Sequence, residues 1–335
     1  MSNTMRAVVI DGKGGIDVVD KPIPEPGPSD VLIAVQATGV CGTDLHLIEG
    51  SYAHGRYPVT PGHEFAGLVA GTGTDVTRVH EGDVVGVDPN ISCNRCQWCL
   101  SGAKNLCPNL QPVGVAVDGS CAEYVLVPQD VAYRLPHDTD PATGALIEPL
   151  SCVLHAALRA PGWDGSRIAV YGAGTIGLLT IAVARHLGGG DITVFEPHPL
   201  RRGLAKEMGA ETAYADASEI HDDGGFDIAV EASGHPRAIQ SAIDMLGRRG
   251  RLVQMGVANE NVRVQLSPFE VFAKELMIIG SNSLADAYPA AIDLMNDIAP
   301  ILRPLVTDQL PLHHYPDAIR RASSPESIKV QVLPR

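Results

Sequence analysis

The stretch from Ile168 to Glu196 constrains this chain more than any other. Ile168-Ala169-Val170-Tyr171 is short and apolar, as a strand buried on both faces is. Gly172-Ala173-Gly174-Thr175-Ile176-Gly177 follows at once. Then come an apolar helical run from Leu178 to Leu187, a second strand Ile192-Thr193-Val194-Phe195, and Glu196. A glycine turn by itself is a common structural device; the flanking strand, helix and acid make this one a dinucleotide site. The first glycine permits a tight turn, the second lets a pyrophosphate approach the backbone, and the third lets helix and strand pack closely. The free N–H groups and dipole at the helix start favour the anion. At the tip of the second strand, the Glu196 carboxylate accepts hydrogen bonds from ribose hydroxyls and repels a 2′-phosphate. NAD is therefore the expected cofactor, bound by Gly172, Gly174, Thr175, Ile176, Gly177 and Glu196. His198, Arg201 and Arg202 follow closely and soften the repulsion that disfavours NADP.

A chain of 335 residues suits two domains, and an apolar content of 45% fills two cores. With only 4% aromatic residues those cores are aliphatic. The formal charge of −14 argues against nucleic acid or an anionic membrane as partner. No apolar run reaches the about 18 residues of a membrane span. Met1 to Arg6 lead straight into Ala7-Val8-Val9-Ile10 without signal-peptide architecture. A cytoplasmic protein acting on a small molecule is expected.

Seven cysteines, four of them clustered, suit metal binding in a reducing compartment better than disulfides. Cys93, Cys96, Cys99 and Cys107 lie in one short loop bent at Gly102. Four thiolates at about 2.3 Å satisfy tetrahedral zinc and exclude water, which makes the site structural. The rival is an iron–sulfur cluster, which the C-x-x-C-x-x-C run and Cys107-Pro108 also resemble. Against it stand the long last spacing and a cofactor half that already supplies two-electron chemistry.

Residues 5 to 37 read as β-rich, with Val31–Val35 as a strand after a stiff connector of Pro22, Pro24, Pro26 and Pro28. Short strands at Val84–Val87 and Tyr124–Val127 continue a barrel or sandwich-like half. A helix is expected from Thr143 to Leu158, and Pro161-Gly162 marks the crossing into the second half. There, strands Phe226–Val230, Arg251–Met255 and Met277–Gly280 alternate with helices Leu200–Met208 and Pro236–Leu246, which implies a doubly wound parallel sheet. After residue 295, short proline-broken strands are expected to rejoin the first domain. The division is thus 1–155 with 295–335, and 156–294.

Cys41, His63, Glu64 and Glu148 are scattered in sequence, and singly each has an ordinary structural reading. Taken together, Gly39-Val40-Cys41-Gly42-Thr43-Asp44-Leu45-His46, Pro61-Gly62-His63-Glu64, the four-cysteine loop, Gly144-Ala145-Leu146-Ile147-Glu148-Pro149-Leu150-Ser151 and the glycine turn resemble the zinc-containing medium-chain dehydrogenase/reductases over nearly the whole chain. The Glu148 stretch is most similar to the sorbitol (polyol) dehydrogenase branch. The resemblance implies an α/β chain with a GroES-like catalytic domain, a Rossmann domain and a catalytic zinc between them, assembled as a homodimer or homotetramer. It implies Cys41 and His63 as zinc ligands. Glu64 and Glu148 would be the carboxylate positions, one binding directly and the other through water or by exchange. Cys152, one helical turn past Glu148, is a substitute ligand. Asp44 corresponds to the acid that orients the histidine ligand, Thr43 to a hydroxyl relay, and His46 to the histidine that passes the proton onward. Arg201 corresponds to a basic residue at the adenosine ribose. Cys121, His54, His155, His313 and His314 match no role and read as structural. Two positions depart from the branch: Ser283-Leu284 stand where it has Arg-Tyr, and Leu47 where an aromatic is often found.

The implied activity is NAD-dependent oxidation of a secondary alcohol of a polyol, sugar or related molecule. Zinc lowers the hydroxyl pKa, and hydride passes to the nicotinamide. A threonine or butanediol dehydrogenase-like activity shares the ligand pattern, and an NADP-dependent ketose reductase runs the other way. A catalytically inert cofactor-binding scaffold has no need of Cys41, His63, Thr43 and His46 together.

Overall fold

Six parallel strands make the sheet that the glycine turn predicts. The computed structural model describes residues 3–52, 55–220 and 224–334. From edge to edge the sheet runs Thr212–Tyr214, Ile192–Phe195, Ile168–Tyr171, Phe226–Glu231, Leu246–Gln254 and Met277–Gly280, every neighbouring pair parallel. Counted along the chain the order is third, second, first, fourth, fifth, sixth. That is the doubly wound order, which opens a ligand crevice at the carboxyl ends where the winding reverses. The two interior four-residue strands, Ile168–Tyr171 and Ile192–Phe195, are buried throughout. Helix Thr175–His186 begins three residues before the expected start, directly on the last part of the glycine turn. Helix Pro236–Asp244 stops short, because Leu246 already pairs with Phe226 in the sheet.

The chain divides into two compact units, Met1–Glu148 with Ala285–Arg335, and Pro149–Leu284. The boundaries therefore fall somewhat before the expected 155 and 295. Helix Ile147–Arg159 carries the chain across the first of them, so composition offers no break there. The expected single helix from Thr143 is in fact two pieces, Pro141–Gly144 and Ile147–Arg159. Together they form one stretch, Pro141–Arg159, that is long and apolar enough to cross a membrane by length and composition alone. It is 67% buried within the protein, as a core helix is.

The first unit is built on a seven-stranded sheet in the order Val306–Pro311, Lys329–Leu333, Asp30–Gly39, Glu64–Thr72, Val84–Val87 and Ala132–Arg134, with Tyr124–Pro128 also pairing Asp30–Gly39. Val31, Ile33, Val35, Phe65, Val69, Val85 and Val87 pack as one aliphatic core. The expectation of short strands after residue 295 needs correction. Tyr288–Leu302 is a helix with Pro300 inside its last turn, followed by strand Val306–Pro311, helix Tyr315–Ala322 and strand Lys329–Leu333. Ala291, Leu294, Met295, Ile298 and Leu302 recur at helical spacing and are buried. Burial of that stripe outweighs the hydrogen bond that the proline removes.

Candidate active site

Strand pairing brings the scattered donors together. Asp30–Gly39 runs antiparallel to Glu64–Thr72 with Gly39 opposite Glu64, so Cys41 and the His63-Glu64 pair emerge at the same place. A ligand atom from each of Cys41, His63 and Glu64 lies within 4.8 Å of the other two. A Cβ on Gly39 would collide with Glu64 Oε2, so glycine leaves the room that this carboxylate occupies. Cys41 precedes helix Gly42–Ile48, and its N–H donates to Asp44 Oδ2 at 2.8 Å. Asp44 is wholly buried, with its other oxygen 3.8 Å from His63 Nδ1. Neither of those two atoms has a hydrogen-bond partner, and they face each other as an orienting acid and a ligand imidazole would. Thr43 Oγ1 lies 3.7 Å from Cys41 Sγ. His46 is exposed on the same helix, with Nδ1 3.3 Å from Ser51 Oγ. Leu47 is buried in the core, which explains an aliphatic residue there.

Glu148 is buried in the first turn of its helix, outside the 4.8 Å group, but its charge reaches His63. Cys152 stands one turn on, half-buried. Burial pushes the His63 imidazole down, yet Cys41, Asp44 and Glu148 outweigh it and hold it well above the ordinary histidine value. Surroundings that keep a proton on this ring favour a dication in its place. Thiolate, imidazole and carboxylate are a zinc donor set, and the residues present fit that metal.

The four cysteines of the loop also converge. Their Sγ atoms are 3.9 Å apart for Cys93 and Cys99, 3.4 Å for Cys96 and Cys99, and 3.9 Å for Cys96 and Cys107. A tetrahedron with 2.3 Å metal–sulfur bonds has edges of about 3.8 Å, whereas a disulfide needs about 2.05 Å. Backbone N–H groups of Arg95 and Cys96 draw the Cys93 thiol down to about 6, towards the thiolate a metal requires.

In the other unit the glycine turn has its expected geometry. Gly172 sits at φ +94°, the left-handed region that favours glycine, and a Cβ on Gly177 would strike the Gly172 carbonyl. Around Gly174, at the head of helix Thr175–His186, the space is open. Thr175 and Ile176 form the first helical residues and are half-buried. Glu196 is more enclosed than expected. One oxygen accepts from Ala173 N at 2.9 Å and the other from His198 N at 2.8 Å. Arg202 donates to the carbonyls of Glu196 and Pro197, while Arg201 is half-buried on the next helix.

Residues 27–137 match the alcohol dehydrogenase GroES-like domain, and residues 175–297 match the zinc-binding dehydrogenase domain. The sorbitol dehydrogenase of Bacillus subtilis is 36% identical over 98% of this chain and 97% of its own. The chain belongs to the zinc-binding alcohol dehydrogenase family. As a zinc-binding dehydrogenase it is an oxidoreductase of CH–OH donors that uses zinc and a nicotinamide dinucleotide. The L-threonine 3-dehydrogenase of Bacillus subtilis is 33% identical over 99% of both chains. A zinc-binding dehydrogenase from Sinorhizobium meliloti, bound to NADP, superposes with a TM-score of 0.95 at 36% identity, over 99% of this chain and 100% of that one.

Two polar residues of this dehydrogenase escape sequence reasoning. Lys329, from the last strand, reaches Glu64. Glu231 is fully buried at the end of its strand, accepts from Ser233 N at 2.8 Å and Gln254 Nε2 at 2.7 Å, and so ties two loops at the carboxyl edge of the sheet. Its place at a strand end was the available signal. Among the remaining residues read as structural, Cys121 is buried in the core and His314 pairs with Asp317 on the surface. His155 is half-buried and His313 is exposed. His54 lies outside the described residues.

Proposed function

We propose that this dehydrogenase oxidises a secondary alcohol of a polyol, sugar alcohol or related hydroxylated molecule, with NAD as hydride acceptor. The convergence of Cys41, His63 and Glu64 in one anionic pocket carries the reading. Cys41 and His63 hold a catalytic zinc, with Glu64 and Glu148 as its carboxylates. Cys93, Cys96, Cys99 and Cys107 hold a second, structural zinc. Zinc supplies a Lewis acid that lowers a hydroxyl pKa. Asp44 fixes the His63 ring, Thr43 takes up the hydroxyl proton, and exposed His46 passes it to solvent. Gly172, Gly174, Thr175, Ile176 and Gly177 receive the pyrophosphate, and Glu196 receives the ribose with Arg201 beside it.

The choice of NAD rests on the Glu196 carboxylate, since two negative groups repel at the 2′ position. The Sinorhizobium protein bound to NADP favours the alternative, in which His198, Arg201 and Arg202 accommodate a 2′-phosphate. Similarity to a sorbitol dehydrogenase supports a polyol, and similarity to a threonine dehydrogenase supports an amino alcohol as the second reading. A cytoplasmic homodimer or homotetramer is the working form. Met277 and Ile278, exposed on the edge strand Met277–Gly280, and Phe269 and Phe272, exposed on the helix Pro268–Lys274 before it, support self-association. The test is NAD reduction, followed at about 340 nm, over a panel of polyols and L-threonine, together with zinc content. Turnover of polyols with two zincs per chain is expected. Failure to oxidise any secondary alcohol overturns the reading.

A further inference from the structure

The zinc reading leaves a buried lysine without a task. Lys329 opens strand Lys329–Leu333, and its side chain is 4% exposed. Its ammonium donates to Glu64 Oε1 at 2.9 Å, to Glu64 Oε2 at 2.6 Å, and to the Val40 carbonyl at 3.1 Å. Desolvating an ammonium at this depth is costly, and an apolar side chain would fill the same space without that cost. The strand is held beside the pocket, with Gln331 opposite Gly39 and Val40 N donating to the Val330 carbonyl. The Lys329 backbone is therefore fixed beside Cys41, and the Val40 carbonyl holds its ammonium from a side that does not move with the carboxylate.

We propose that Lys329 is a positioning residue of the metal centre. It grips Glu64 through both oxygens, keeps that carboxylate an exchangeable ligand, and so preserves an open position for the substrate hydroxyl. The inference rests on zinc at Cys41 and His63. Each Glu64 oxygen retains a lone pair for the metal, but leaning towards the metal weakens charge-assisted bonds to the ammonium. Repulsion between ammonium and dication adds to the opposition.

Lys329→Met removes the charge at nearly constant length. In the zinc-loaded enzyme this variant should release the catalytic zinc to a chelator on the order of ten- to a hundred-fold more slowly, the range in which outer partners alter affinity. The absorbance of the cobalt-substituted enzyme should shift, and kcat should fall with little change in KM. Lys329→Arg should keep native zinc release and the native cobalt spectrum. In a Glu64→Gln background, adding Lys329→Met should slow zinc release far less and leave the spectrum nearly unmoved, because only the repulsion between ammonium and dication is then removed. This double variant carries no unpaired buried charge, so it serves where the single one does not fold. Unaltered zinc release and spectrum in Lys329→Met, or an equally large change from Lys329→Met once Glu64 is Gln, would overturn the proposal. Unsubstituted protein with zinc only at the four cysteines removes the underlying reading, and that result is separate because it comes before any substitution.

Discussion

The Glu196 carboxylate accepts a hydrogen bond from the Ala173 amide at 2.9 Å, so the acid that ends the second strand also braces the glycine turn. Glu196→Ala removes a ribose acceptor and a turn brace together. NAD affinity should fall on the order of ten- to a hundred-fold, the worth of one charged hydrogen bond. NADP affinity should fall less, because the repulsion of its extra phosphate disappears at the same time. Titration with both dinucleotides measures the ratio, and an unchanged ratio removes the ground for choosing NAD.

Cys41→Ser should abolish turnover, at least a hundred-fold, and lower zinc from about two to about one per chain. Dinucleotide affinity should stay as it was, since the glycine turn belongs to the other compact unit. Metal analysis and cofactor titration on the same preparation check both halves. Retained activity would count decisively against Cys41 as a ligand.

Cys99→Ser should also lower zinc to about one per chain, with a different outcome. Cys99 is buried, and its sulfur lies 3.4 Å from Cys96 and 3.9 Å from Cys93. Losing a closed structural site forfeits ordering free energy that reaches roughly 10 kcal/mol in small zinc modules. Melting temperature should drop sharply while folded molecules still turn over at low temperature. A variant with native melting temperature would show that the loop does not need its metal.

Asp88 makes stability depend on pH. Burial pushes its carboxyl from 3.8 up to about 7, although the Asn90 N–H, 2.9 Å away, and Lys104 pull the other way. Below about pH 4 both folded and unfolded chains hold the proton; between about 4 and 7 the folded chain alone keeps it. The contribution of this group to stability therefore falls as pH rises through that window and levels off above it. Asp88→Asn should raise stability at pH 8 by up to a few kcal/mol and leave it unchanged near pH 4. Denaturant titrations at both values check this, and equal effects at both would refute the assignment.

The parallel sheet was legible because its strands are short apolar runs punctuated by glycine, and because each residue of Gly172–Gly177 has a local reason to be there. The four-cysteine loop was legible for the same reason: its ligands are neighbours in sequence. Cys41 and His63 became candidates only through resemblance, since nothing local says that residues 39 and 64 face each other across a sheet. Lys329 was hidden by its own strand. Lys-Val-Gln-Val-Leu alternates like a half-solvated strand, yet Lys329 and Gln331 are both buried, one bonded to Glu64 and the other to the Ala142 carbonyl. Helix Tyr288–Leu302 was hidden because Pro300 reads as a breaker, whereas burial of Ala291, Leu294, Met295, Ile298 and Leu302 outweighs the hydrogen bond that it removes.

Strand Lys329–Leu333 closes the sheet against Asp30–Gly39, nearly three hundred residues earlier in the order of synthesis. The thiol and imidazole leave the ribosome early, but their counter-cation arrives 265 residues after Glu64. A nascent chain thus exposes its metal-binding side chains long before their final electrostatic setting exists. Correct metallation is expected to be a post-translational event, and a chain truncated ahead of residue 329 should trap metal in a form that cannot turn over.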